Sequence, residues 1–509
     1  MSDNNKEILA EASLLLGHGR EYEAYKLLRV AKQGKIADES VENTIAFLEK
    51  KVSRNTIVAW RHDGLGERLI TIIIGLHTAQ VLGLKFLFVW PHEKAMYELF
   101  SISGRGTHSV AADPRDVLSG ELVEGHLVSE EDLLHPEGNF YFDSPDYLNL
   151  VVNCFDKVKR KAVDPIPSWL ASNRIFPDLE QAFSQSDFKR FYFEKLFTRE
   201  IRQQLDAVSR LALPEKRVAV HIRGGDIVYG DTRLVATFGR LKSISLPVAD
   251  EVCRRFTERG YTVLAFGATL HDLKALSEKY AAVLTVEDLP LEPCDLHTQV
   301  IREIALMGDC EYLISSKDTA VTKLAVLIGG TELLPLPGWI SVEDEHRILR
   351  TARGSEEYEC YHPLQKAFVN YSLYATAPAD EVFETLFDFV MTAHKSDPDN
   401  PSYLVLVFFC AKVCGKVEIA ESAKVQLEGR TGKEFHIFLR NARVENRFMR
   451  FDEAATIRLF RSVVNDAKYD ADTRETAGQL LATYCVSSSR SFVGRVKSYL
   501  MRKMRRAKS

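Results

Sequence analysis

The feature that most limits the fold is an apolar, β-branched run that ends in a cluster of polar residues. Residues 218–222 read Val-Ala-Val-His-Ile, and Arg223, Gly224, Gly225 and Asp226 follow directly. A short run rich in valine is typical of a strand buried in a parallel sheet. Parallel sheets bind ligands at the carboxyl ends of their strands. The sequence therefore predicts a buried strand that carries polar side chains to a binding site.

Arg223 is the strongest candidate for ligand contact in this cluster. A guanidinium group stays charged and can hold an anion through two parallel hydrogen bonds. Gly224 and Gly225 would let the backbone approach the bound group closely. The alternative is an ordinary strand-to-loop turn in which Arg223 and Asp226 pair with each other, and the spacing alone does not separate the two.

Apolar runs alternate with helical periods on both sides of this cluster. Strands are predicted at 56–60, 85–90, 261–266, 282–286, 312–314 and 332–336, and helices at 66–82, 188–211, 248–259, 270–280 and 296–307. Strands that alternate with helices are typical of a parallel, doubly wound sheet. We therefore expect an α/β protein.

Composition indicates a soluble enzyme. Hydrophobic residues make up 46% and charged residues 27% of the 509 residues, which is ordinary for a globular chain of several domains. The net charge of −5 gives no reason to expect nucleic acid as a partner. The eight cysteines form no paired motif, as in reduced cytosolic proteins. Because the first residues do not resemble a secretory signal, we expect a cytoplasmic protein.

Two further segments hold candidate binding residues. Gly64, Gly66, Glu67 and Arg68 lie at the start of the predicted helix 66–82, where a glycine turn with a capping acid is the alternative. Ser315, Ser316 and Thr319 lie between a predicted strand and the next helix. Hydroxyls and free amides at a helix start can hold phosphate, and the alternative is a plain N-cap.

Together, the segments G-L-G-E-R at 64–68, H-I-R-G-G-D at 221–226 and S-S-K-D-T at 315–319 resemble a known family. In order and spacing they are similar to the fucosyltransferase-like superfamily of GT-B glycosyltransferases, which includes bacterial polysaccharide and nodulation-factor fucosyltransferases. The middle segment is similar to the HxRRxD motif of that superfamily and is the most specific of the three. The resemblance covers residues 54–345.

The resemblance implies two Rossmann-like domains and an inverting transferase that moves a sugar, plausibly fucose from GDP-fucose, to a glycan. Arg223 would neutralise the leaving diphosphate, and Glu67 or Asp226 would be the base, with Asp63 as a further candidate. Donor contacts are expected from nine residues: His221, Gly224, Gly225, Gly64, Gly66, Arg68, Ser315, Ser316 and Thr319. The chain departs from the family at Gly224, where relatives often have a second arginine.

No metal or other cofactor is expected, because an arginine and helix amides can stabilise the departing diphosphate. Two Asp-x-Asp sequences, at 397–399 and 470–472, fall in predicted turns of a helical region rather than after a strand. Cys410 and Cys414 lie one helical turn apart without a histidine motif, so we interpret them as core thiols.

The chain is predicted to have six segments. They are an N-terminal helical hairpin at 1–50, an acceptor-side α/β domain at 54–212, a donor-binding α/β domain at 213–345, a return segment at 346–375, a helical repeat-like domain at 376–489 and a basic tail at 490–509. The helical regions are candidates for protein partners.

The tail holds eight Lys or Arg and no acid. As a helix it would suit an anionic membrane surface, where lipid-linked glycan acceptors reside, and a solubilising tail is the alternative.

The rival function for the whole chain is a non-catalytic scaffold that binds a nucleotide sugar or a glycan without turning it over.

Overall fold

The structure is a computed structural model of the chain. It describes residues 56–60, 65–82, 85–90, 113–128, 185–431 and 454–478, apart from 235, 268, 317, 318, 470 and 472, and a few positions before 45. The basic tail, Asp63, Gly64 and most of the predicted N-terminal hairpin lie outside the described residues. The described residues fall into two compact units, one ending at Arg202 and the other beginning at Gln203.

The first unit contains a parallel sheet of three strands in the order β1-β2-β3. Its strands are β1 (Thr56–Trp60), β2 (Lys85–Val89) and β3 (Leu127–Val128). Helix α1 (Leu65–Leu82) connects β1 to β2, as the sequence predicts, because its apolar length packs on the sheet. The next helices in the chain are α2 (Pro114–Val117), α3 (Gly120–His126), α4 (Gln185–Glu194) and α5 (Arg199–Ser209).

The second unit is built on a sheet of five parallel strands in the order β6-β5-β4-β7-β8. The strands are β4 (Arg217–His221), β5 (Thr262–Phe266), β6 (Val283–Leu284), β7 (Tyr312–Ser315) and β8 (Glu332–Pro335). All four neighbouring pairs are parallel. The prediction of an α/β protein with parallel sheets is confirmed.

Helices cover the sheet and continue beyond it. Those between the strands are α6 (Ala236–Lys242), α7 (Leu246–Thr257), α8 (Leu270–Lys279), α9 (Leu296–Gly308) and α10 (Ala320–Gly329). Those after the sheet are α11 (Leu336–Trp339), α12 (Val342–Arg353), α13 (Glu356–Glu359), α14 (Pro363–Thr376), α15 (Phe383–Ser396), α16 (Pro401–Val413), α17 (Val417–Thr431) and α18 (Ala454–Val464). No described helix is both long enough and apolar enough to cross a bilayer.

One apolar core joins the five-stranded sheet to the helices that follow it. The core includes Val220 of β4, Leu349 of α12, Tyr371 of α14 and Phe409 of α16. Helix α16 is apolar on every side because it is surrounded by protein, and it also contains Cys410, whose pKa is raised by burial. The segment predicted as a return, 346–375, forms most of α12 and α14 together with α13.

A buried ion pair adds a polar attachment between the same two regions. The guanidinium of Arg233 contacts both oxygens of Asp397, with Nε at 3.1 Å from Oδ2 and Nη2 at 3.3 Å from Oδ1. The side-chain amide of Asn400 donates to the Arg233 carbonyl at 2.8 Å, and the Ser402 hydroxyl donates to the Leu234 carbonyl at 2.6 Å. Asp397 is the first residue of the Asp-x-Asp sequence at 397–399, and it forms an ion pair with Arg233.

We expect Asp397→Ala to destabilise the protein by about 3–5 kcal/mol, because Asp397 is only 3% exposed and Arg233 would lose its buried counter-ion. The measurement is urea unfolding followed by circular dichroism. Asp388→Ala is the matched control, since that carboxylate pairs with Arg353 but is 57% exposed, and its loss should cost less than about 1 kcal/mol. Equal losses in the two variants would contradict the prediction.

Candidate functional site

The strand order of the second unit reverses at β4, so the end of β4 is a topological switch point. From β4 the chain adds β5 and β6 on one side and then crosses to add β7 and β8 on the other. At such a switch point the loops after the two central strands diverge, and ligands bind outside the carboxyl ends of the strands. His221 pairs with Phe266 of β5 and with Ser315 of β7, so residues predicted from separate segments meet at this edge.

His221 is a buried, neutral side chain at the end of β4. It is 8% exposed, and burial lowers its pKa to about 3, helped by the positive charge of Arg223. Its Nδ1 atom has no hydrogen-bond partner among the described residues. A ring that stays neutral at pH 7 can donate or accept one hydrogen bond at this atom but is a poor proton acceptor.

Arg223 begins the turn that leaves the sheet. The Gly224 amide donates to the Ile222 carbonyl at 2.8 Å, and a single turn of π-helix, Gly225–Tyr229, follows. Such turns are rare and occur often at functional sites. The half-buried Arg223 therefore lies beyond the carboxyl end of the central strand, as the sequence predicts. The Asp226 backbone lies in the π-turn, and its side chain is outside what the structure describes.

Gly224 is packed against a residue that the sequence analysis did not single out. A Cβ atom at position 224 would lie 2.7 Å from the Thr269 hydroxyl, and one at Gly267 would lie 2.2 Å from the Ile222 carbonyl. A larger side chain at 224, such as the second arginine of the family motif, needs Thr269 to move. Gly224 has φ −84°, so contact rather than backbone strain selects glycine here.

Thr269 also places an unused hydroxyl at this edge. It stands at the N-cap of α8, where a threonine side chain normally accepts from a helix amide, yet it makes no such bond. Its Oγ1 is buried and has no partner in the described part of the chain. The position of Thr269 shortly after a predicted strand was the only signal in the sequence that could have identified it.

The serine and threonine residues at the end of β7 and directly after it differ in what their side chains do. Ser315 and Ser316 are buried, and the Ser316 hydroxyl has no partner among the described residues. The Thr319 hydroxyl instead caps α10, accepting from the Thr322 amide at 3.3 Å, while the Thr322 hydroxyl accepts from the Thr319 amide at 2.9 Å. The N-cap interpretation therefore accounts for Thr319, and Ser316 remains available to a ligand.

Three buried polar atoms thus meet one edge of the sheet without a partner in the described residues: His221 Nδ1 after β4, Thr269 Oγ1 after β5 and Ser316 Oγ after β7. Leaving a buried polar group unsatisfied costs about 1–3 kcal/mol. Neutral hydroxyl and imidazole groups beside an arginine and a helix N-terminus suit an anionic, oxygen-rich ligand such as a phosphate.

The first-unit candidates lie at the start of α1. Arg68 is buried, with its guanidinium 5.0 Å from the centre of the Trp90 ring. Glu67 is half-buried in the first helical turn, and its carbonyl accepts from the Thr71 hydroxyl at 2.7 Å. Gly66 is buried within the helix. This group belongs to a separate unit from Arg223.

Comparison with known proteins gives a distant similarity. No protein-family model and no curated protein matches the chain. It is similar to the solved structure of fucosyltransferase NodZ from Bradyrhizobium, with 14% identity and a TM-score of 0.30 over 56% of this chain and 95% of that chain. NodZ alpha-1,6-fucosyltransferase structures co-crystallized with GDP and soaked with GDP-fucose give 14% identity and a TM-score of 0.28 over 54% of this chain and 92% of theirs.

The pH dependence of the free energy of unfolding tests whether His221 is buried in its neutral form. Below about pH 6.5 an unfolded histidine gains a proton that the folded His221, with a pKa of about 3, does not bind. The free energy of unfolding should therefore fall as the pH falls, by about 2 kcal/mol from this group at pH 5. We expect His221→Gln to lose less stability than the wild type between pH 7.5 and pH 5 in urea unfolding. Equal losses would mean that His221 is not buried in its neutral form.

Proposed function

We propose that this chain is a glycosyltransferase that uses a nucleotide-activated sugar, with GDP-fucose as the first donor to test. The observation that carries the proposal is the set of Arg223, His221, Ser316 and Thr269 around the end of β4. These residues combine one permanent positive charge with buried, neutral hydrogen-bonding groups. That combination suits a diphosphate, and the similarity of 221–226 to the HxRRxD motif favours the diphosphate of a nucleotide sugar.

The proposed reaction is a single displacement with inversion. The acceptor hydroxyl attacks the anomeric carbon as the bond from that carbon to the diphosphate oxygen breaks. Arg223 and the first amides of α10 stabilise the charge that develops on the diphosphate, and a carboxylate takes the hydroxyl proton. Glu67 and Asp226 are the proposed bases. His221 binds the donor as a neutral hydrogen-bonding group and does not accept the proton.

The proposed acceptor is a glycan or lipid-linked glycan of a surface polysaccharide or glycoconjugate. The proposed location is the cytoplasm, at the inner face of the membrane, with the basic residues of 490–509 as the contact to anionic lipid. Protein partners would bind through the helical regions.

The test of function is transfer and hydrolysis of GDP-fucose by the wild type and by Arg223→Lys. Lysine keeps the charge but cannot form two parallel hydrogen bonds, so we expect kcat/KM to fall by about 10- to 100-fold. Arg254→Lys is the matched control, because Arg254 is an exposed arginine of α7 paired with Glu251 and Glu258. Unchanged turnover in Arg223→Lys would contradict the assignment. Donor binding without any turnover in the wild type would favour the non-catalytic scaffold.

Metal independence is a separate expectation. We expect the transfer rate to stay within about twofold in excess EDTA, since Arg223 and the helix amides take the place of a cation at the diphosphate. The assay compares the purified protein before and after chelation. Complete loss that manganese or magnesium restores would indicate a metal-dependent transferase.

A further inference from the structure

A buried carboxylate lies directly against the turn that carries Arg223. Asp272 is in the first turn of α8 and is 4% exposed. The Tyr229 hydroxyl lies 2.9 Å from each carboxylate oxygen, and the side-chain amide of Gln365 donates to Oδ2 at 3.0 Å. The groups that lower the pKa of Asp272 are Tyr229, Gln365, His271 and His362, and none of these is a lysine or an arginine.

Asp272 is close to both ends of that turn. Tyr229 is the last residue of the π-turn, and a Cβ atom built on Gly224, which precedes the π-turn, would lie 3.6 Å from Asp272 Oδ2. The π-turn itself is held by backbone bonds from Val228 to Gly224 at 2.6 Å and from Gly230 to Gly225 at 3.0 Å. The carboxylate therefore fixes the turn relative to the start of α8, where Thr269 also lies.

The same carboxylate connects the turn to the helices after the sheet. Gln365 belongs to α14. His362 lies just before α14, and its ring is edge-on to the Tyr229 ring with 5.2 Å between the two ring centres. Burial raises the pKa of Asp272, although the hydrogen bonds from Tyr229 and Gln365 oppose that shift. A carboxylate buried among neutral donors is poorly compensated, so it contributes less to stability than a paired one. The burial of Asp272 is therefore better explained by the positions in which it holds Tyr229 and Gln365 than by a contribution to stability.

We propose that Asp272 is a positioning residue for the donor site. Asp272 holds the Arg223–Gly224 segment in place through Tyr229 and connects that segment to α14 through Gln365. The proposal rests on the proposed function, because the segment it orients is the one assigned to the donor diphosphate. In this role Asp272 acts through Tyr229 and Gln365 and not by contact with the reacting atoms. A purely structural role, in which Asp272 only joins α8 to α14, would leave donor affinity unchanged.

The experiment uses the full chain with Tyr229→Phe, which removes one hydroxyl and keeps the ring. Tyr374→Phe is the matched control, since its hydroxyl bonds to the Thr456 hydroxyl at 2.8 Å within the helices and away from the site. Two readouts are taken for each protein: the Kd for GDP by calorimetry, and amide hydrogen exchange of the peptide that covers 222–230. Gln365→Met serves as a second variant, because it removes the other donor to Asp272 at similar volume.

We expect Tyr229→Phe to weaken GDP binding by about tenfold and to speed exchange in 222–230, because a hydrogen bond to a charged group is lost. Gln365→Met should act in the same direction, and Tyr374→Phe should change neither readout. Wild-type values in Tyr229→Phe, or an equal effect of Tyr374→Phe, would overturn the proposal. If the wild type binds none of GDP, UDP and dTDP, the proposed function is wrong, and the exchange rates alone then decide whether Asp272 holds the turn.

Discussion

The two parallel ladders along β4 determine where the residues of the proposed donor site in the second unit lie. His221 is paired with Phe266 on one side and with Ser315 on the other, so the loops after β5 and β7 start at the same level as the turn after β4. A shift of either neighbour by one residue would turn its side chains to the opposite face and separate Ser316 or Thr269 from His221. The apolar run that buries β4 is therefore also what assembles the polar edge.

That polar edge is arranged at the expense of stability. At this edge three buried polar atoms have no partner among the described residues, and Thr269 leaves its helix without a side-chain cap. The hydrogen bonds that Asp272 accepts there come from the neutral side chains of Tyr229 and Gln365. The surrounding structure compensates through apolar burial, above all in α14 and α16. Proteins commonly retain locally unfavourable groups where a ligand or a fixed geometry needs them.

The sequence predicts seven of the eight described strands and most of the described helices, because their apolar periods are regular and their turns contain glycine or proline. It does not predict β3, which has only two residues. It also predicts that Arg223 and Ser316 lie at strand ends. It could not predict the contacts that connect distant loops. Gly224 meets Thr269, and Asp272 meets Gln365, only after the strand order is set, and these partners are 45 and 93 residues apart. Asp397 is a further example. The sequence predicts that it lies in a turn, but Arg233, which pairs with it, lies 164 residues earlier in the chain.

The shared core of the second unit also bears on how the protein is made. The core cluster that includes Val220 of β4 continues along the chain as far as Ala477. During synthesis the sheet leaves the ribosome well before α14, α16 and α18. Until those helices follow, the apolar surfaces that the sheet and its helices later bury against them are exposed to solvent. The nascent second unit must therefore wait for more than a hundred further residues before it can complete its core, a period in which chaperone protection would matter most.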